Sequence, residues 1–99
     1  MRTLLRVSIP VEAGNRAIAS GRLPQLMEQV LGELKPEAAY FTADAGNRTA
    51  YLFFDLKDVS DIPKIAEPFF MELNARVEMM PVMNADDLKK GLAQLTPRP

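Results

Sequence analysis

The stretch YFTADAGNRTAYLFFDL, residues 40–56, decides the fold. Two runs rich in aromatic and β-branched residues flank a loop at residues 44–47, centred on Gly46-Asn47. This is the pattern of a β-hairpin. In an ordinary hairpin one face of each arm is apolar and the other polar. Here apolar residues fall on both faces of both arms, so both sides of the sheet need a cover.

Outward from the hairpin, residues 3–9 (TLLRVSI) alternate. Thr3, Leu5, Val7 and Ile9 share one side and Leu4, Arg6 and Ser8 the other, a half-buried strand stopped by Pro10. Residues 11–22 combine helix-favouring Ala13, Ala17, Ile18 and Ala19 with Gly14 and Gly21, which predicts a short helical turn broken near Gly21. From Leu23 the sequence places Leu23, Leu26, Met27, Val30, Leu31 and Leu34 on one helical stripe. Pro24 suits the first turn, and Lys35-Pro36 closes the helix, because proline disfavours helical geometry in the residue before it.

Beyond the hairpin, Ser60 is placed to cap a second main helix with Asp61 in its first turn. Ile62, Ile65, Ala66, Phe69 and Leu73 form its stripe, and Pro68 within it predicts a kink or a break. Asn74 suits a left-handed stop. Residues 75–83 (ARVEMMPVM) alternate again, and Pro81, which has no N–H to donate, assigns this strand to a sheet edge. Asn84 is placed to cap a final helix carrying Leu88, Leu92 and Leu95, with Asp86 and Asp87 complementing its dipole. The tail, residues 96–99, is expected to be loose.

The element order is β-α-β-β-α-β plus a terminal helix. This is the α+β, ferredoxin-like arrangement with a four-stranded antiparallel sheet, and residues 1–99 are expected to make one such domain. Both main helices then lie on one side of the sheet. Alternation assigns Leu5, Val7, Ile9, Ala39, Phe41, Ala43, Ala50, Leu52, Phe54, Val77, Met79 and Met83 to the helix side. The open side receives Leu4, Arg6, Ser8, Ala38, Tyr40, Thr42, Asp44, Thr49, Tyr51, Phe53, Asp55, Arg76, Glu78, Met80 and Val82. A face this rich in aromatic residues reaches or exceeds the roughly 300–600 Å² of the largest patch on an ordinary monomer. The simplest cover is a second copy of the same face about a two-fold axis, burying about 1,200–2,000 Å² in total.

This pattern resembles the dimeric α/β-barrel proteins, ferredoxin-like protomers whose sheets pack face to face. IPVEAGNRAI together with KPEAAYF is similar to a small bacterial family of this type without an assigned activity. The wider group includes cofactor-free monooxygenases, muconolactone-isomerase-like enzymes, haem enzymes and ligand-binding or regulatory modules. The resemblance therefore implies a homodimer built through the open sheet face and a small-molecule ligand. The haem enzymes of the group use a histidine iron ligand, and this chain has no histidine.

Composition narrows the chemistry. Neither cysteine nor histidine occurs, which removes disulfides, thiolate chemistry and the commonest general base and metal ligand. A formal net charge of −1 supplies no basic field for nucleic acid or an anionic membrane. No apolar run approaches a membrane span, and the start MRTLLRVSIP is too short and interrupted for a signal peptide, so a cytoplasmic location is expected. No metal or cofactor is expected, and no phosphate-binding or nucleophile-elbow motif occurs.

Three constellations remain. Arg6, Arg76, Glu78 and Asp55, with Ser8 nearby, share the open face: either an arginine there forks onto the carboxylate of a small molecule, or these groups pair and fix dimer register. Tyr40, Tyr51 and Phe53 either stack on a flat aromatic ligand or form interface core. Glu12, Asn15 and Arg16 follow the first strand, with Ser20 and Arg22 beyond. They either form a lid over a pocket, with Glu12 as general base, or cap a helix. The sequence thus leaves open an enzyme or binder of a small aromatic or carboxylate compound and a ligand-free interaction module. A third reading, single-stranded RNA binding, draws on RTAYLFF (residues 48–54), since aromatics on an open sheet face stack bases. Against it stand Asp44, Asp55 and Glu78 on the same platform.

Overall fold

The computed structural model describes residues 1–95; the tail expected to be loose lies outside the described residues. Its elements are β1 (Arg2–Ile9), α1 (Val11–Ala19), α2 (Arg22–Leu34), β2 (Ala38–Asp44), β3 (Asn47–Asp55), a 3₁₀ turn (Val59–Asp61), α3 (Ile62–Leu73), β4 (Arg76–Pro81) and α4 (Ala85–Ala93). The sheet runs β2-β3-β1-β4, antiparallel throughout, which is the ferredoxin-like order. β4 is an edge strand, as Pro81 requires.

The core lies between one face of this sheet and the helices. Leu5, Val7 and Ile9 of central β1 and Ala50, Leu52 and Phe54 of β3 meet Leu26 and Val30 of α2 and Ile65, Phe69 and Leu73 of α3. Phe69, Leu5, Leu52, Leu73 and Val7 are wholly buried. Each such side chain contributes about 1.5–3 kcal/mol by leaving water. α1 adds Ala13 and Ala17, small enough to let it lie close.

Local departures from the sequence reading have physical causes. Residues 11–19 form a full helix rather than a single turn. Gly21, at φ +79°, supplies the left-handed corner between α1 and α2. The hairpin turns on Ala45-Gly46, not Gly46-Asn47: Asp44 pairs with Asn47, and Ala45 (φ 53°) and Gly46 (φ 81°) are both left-handed, a type I′ turn. Ser60 is not a cap. Asp58 caps the 3₁₀ turn that leads into α3, accepting from the Ser60 backbone N–H at 2.9 Å and from its hydroxyl at 2.7 Å, and α3 itself follows Asp61 without a side-chain cap. α3 runs unbroken through Pro68; the carbonyl left without a partner belongs to exposed Lys64 and can turn to water. Phe41 and Ala43 lie on the helix side as assigned but are exposed, because the helix layer stops short of this part of β2. Met83 falls beyond β4 and is exposed.

Asn74 closes α3 in the left-handed region, and Asn84 caps α4 in a reciprocal pairing with Asp87. No helix among the described residues is long and apolar enough to cross a membrane.

Candidate functional site

Strand register arranges the open face as transverse rows. The first is Met80–Leu4–Phe53–Ala38, the second Glu78–Arg6–Tyr51–Tyr40, and the third Arg76–Ser8–Thr49–Thr42. The face therefore grades from apolar, through aromatic and charged, to hydroxyl-bearing. Tyr40 is 64% exposed and Met80 38%, so no described part of the chain covers the patch.

The middle row holds a polar network. Arg6 sits at the centre because β1 lies between β3 and β4, opposite both Tyr51 and Glu78. Its Nη1 donates to Glu78 Oε1 at 2.7 Å, its Nη2 to Asp44 Oδ2 at 2.8 Å and its Nε to Tyr51 Oη at 3.3 Å. The guanidinium also lies 5.6 Å from the Tyr51 ring centre, and the Tyr51 hydroxyl donates to Asp44. Hydrogen bonds from Tyr51 and Arg6 hold the Asp44 carboxyl below its ordinary range, while Asp44, Tyr51 and Glu78 hold Arg6 in its charged form. One guanidinium thus faces two carboxylates and a phenol, and all three of its nitrogens are engaged.

The other expected members of this constellation lie elsewhere. Arg76 is exposed one row away, beside Ser8. Asp55 stands at the far end of β3, opposite Arg2. Lys57 at 2.7 Å and the amino terminus at 2.5 Å hold its carboxyl down at about 2. Asp44 takes the place expected of Asp55. It was visible as an open-face residue, but nothing in its spacing pointed to Arg6: it lies diagonally away and is reached only because Arg6 and Tyr51 both lean toward it.

Glu12, Asn15 and Arg16 are on α1, on the other side of the sheet. Glu12 and Arg16 are exposed. Asn15 Oδ1 accepts from Arg48 Nη2 at 3.0 Å, and Arg48 Nη1 reaches the Val11 carbonyl at 3.4 Å. Asn15 and Arg48 thereby tie the start of β3 to α1. The concavities on the helix side are open grooves. One, of about 360 Å³ between α2 and α3, has Leu26, Val30 and Ile65 in its floor and the Arg22–Glu72 ion pair on its wall. The candidate residues are therefore split into two groups by the sheet.

Among the described residues no three acidic side chains converge so as to hold a metal ion. Comparison with known protein families, curated proteins and solved structures finds no match.

Proposed function

We propose that the chain works as a cytoplasmic homodimer of the dimeric α/β-barrel kind, whose apposed sheet faces bind a small aromatic compound carrying hydrogen-bonding substituents. The observation that carries this reading is the graded open face: aromatic and aliphatic rows directly beside a compact group of donors and acceptors. Ligand sites combine apolar walls with a few convergent polar groups in this way. Tyr40 and Phe53 would flank a flat ring, and Asp44, Tyr51 and Glu78 would orient its substituents.

The excess of acid in the network favours a phenol or an amine over a carboxylate, which would have to displace Glu78 or Asp44 from Arg6. The same acid weighs against RNA as an occupant of this face.

A second reading, a ligand-free module, is favoured by the full engagement of Arg6. A panel of phenols, aromatic amines and benzoates, tested by thermal shift and calorimetry on the dimer, separates the two. We expect phenols to raise the melting temperature and benzoates not to. A dimer indifferent to the whole panel selects the ligand-free module, and a chain that stays monomeric overturns both.

A further inference from the structure

We propose that α4 of each protomer packs its leucine stripe, Leu88, Leu92 and Leu95, on a second copy of the chain. The proposal rests on the homodimer above and adds the element that completes it.

Among the described residues α4 has no core surface to lie on. Every residue from 83 to 95 is exposed, and Leu88, Leu92 and Leu95 are 46%, 56% and 74% exposed. Leu88 and Leu92, one turn apart, share one face of α4, and Leu95 follows in the turn just after it. The chain is 63 Å along its longest axis. Its longest strand, β3, spans only about 30 Å at 3.3 Å per residue, so α4 extends well past the sheet.

Such a helix does not persist in water unaided. Isolated helices shorter than about 12–15 residues are marginal even in alanine-rich sequences. α4 has nine residues, and Gly91 within it costs about 1 kcal/mol relative to alanine. Yet its start is carefully built, with the reciprocal Asn84–Asp87 cap and two acids in the first turn. A well-capped, short helix with an exposed apolar stripe requires a packing surface, and none of the described residues supplies one.

Two observations identify that surface as another copy. The first is position. Arg2, on the open side of β1, donates to Asp87 at 3.3 Å and to Glu37 at 2.7 Å, which fastens the first turn of α4 to the rim of the open face. The second is area. Four strands about 4.8 Å apart and seven residues long give a footprint of about 450 Å², short of the roughly 800 Å² per partner of a stable interface. A leucine stripe continuous with that rim supplies apolar area where the sheet face runs out. A lipid surface is a poor alternative, because Asp86 and Asp87 balance Lys89 and Lys90 on the polar side.

Analytical ultracentrifugation of the full chain and of the Leu88→Asp/Leu92→Asp variant tests this. The expected result is a wild-type dimer and at least a tenfold weaker dimer in the variant, with a cooperative thermal unfolding transition retained. The core should stay folded, since α4 does not pack on it. A wild-type monomer overturns the homodimer and this proposal together. A wild-type dimer whose dissociation constant is the same in the variant overturns this proposal alone. So does co-sedimentation of the wild-type chain with phosphatidylcholine vesicles that the variant loses.

Discussion

The guanidinium of Arg48 lies across the backbone of Gly14: a methyl group on Gly14 would stand 2.5 Å from Arg48 Nη1. Gly14 is in the body of α1, where glycine is otherwise unfavourable, so its role is to leave room for an arginine arriving from β3. The obstructing atom is the tip of a flexible side chain, which can move aside and lose its bonds to Asn15 and Val11.

Two opposing effects then set the outcome of Gly14→Ala. Alanine gains about 1 kcal/mol of helix propensity, and the displaced Arg48 gives up much of that. Gly14→Ala should change stability little in the wild-type background. In an Arg48→Ala background it should stabilise by about 1 kcal/mol. Urea denaturation of the four members of the cycle reads the difference.

Ala45 occupies the first central position of a type I′ turn at φ 53°, where asparagine is far better tolerated than alanine. Ala45→Asn should raise stability by about 0.5–1 kcal/mol without altering the hairpin register. The denaturation midpoint should rise at constant slope.

Arg6→Leu leaves Asp44, Glu78 and Tyr51 facing one another without their cation. In the wild type the Asp44 carboxyl is depressed, so its favourable interaction is present above the ordinary aspartate range and lost as pH falls through the lowered value. In the variant the neighbouring carboxylates repel at neutral pH and are relieved by protonation. The melting temperature should fall most at pH 7, and the gap from the wild type should close as pH falls below the ordinary aspartate value of 3.8. A gap independent of pH would contradict the network described for the middle row.

Asp55 gives the matching acid-side test. Lys57 and the amino terminus hold its carboxyl at about 2, against an ordinary value of 3.8. Its contribution is therefore complete above about pH 4 and is lost between pH 4 and pH 2. The Asp55→Asn variant should lose less stability than the wild type across that window. Thermal melts at half-unit pH steps show this directly.

The sheet was legible in the sequence because its signals are local and redundant. Leu5, Val7 and Ile9 alternate with Leu4, Arg6 and Ser8, and a strand cannot place the two sets on the same side. Pro81 marked the edge for an equally simple reason, its missing N–H. Errors fell where a choice depends on neighbours in space. Asp58 and Ser60 can each cap a helix start, and only the local backbone selects Asp58. Pro68 was expected to kink or break α3, and the helix continues through it, with Lys64, four residues earlier, exposed to water. Asp44 entered the Arg6 network through the lean of two long side chains, which period-two alternation does not encode. The role of Asn15 depended on Arg48, 33 residues away in the chain.

The two outer strands of the sheet make unlike borders. β4 ends at Pro81 and carries Arg76 and Glu78, whereas β2 (AAYFTAD) has neither proline nor lysine to discourage a newcomer. A foreign strand therefore finds one receptive margin rather than two. Two molecules joining there, β2 against β2, would merge their sheets into a single eight-stranded ribbon and consume both receptive margins at once. In such a pair both receptive margins are used, and lateral growth would stop there.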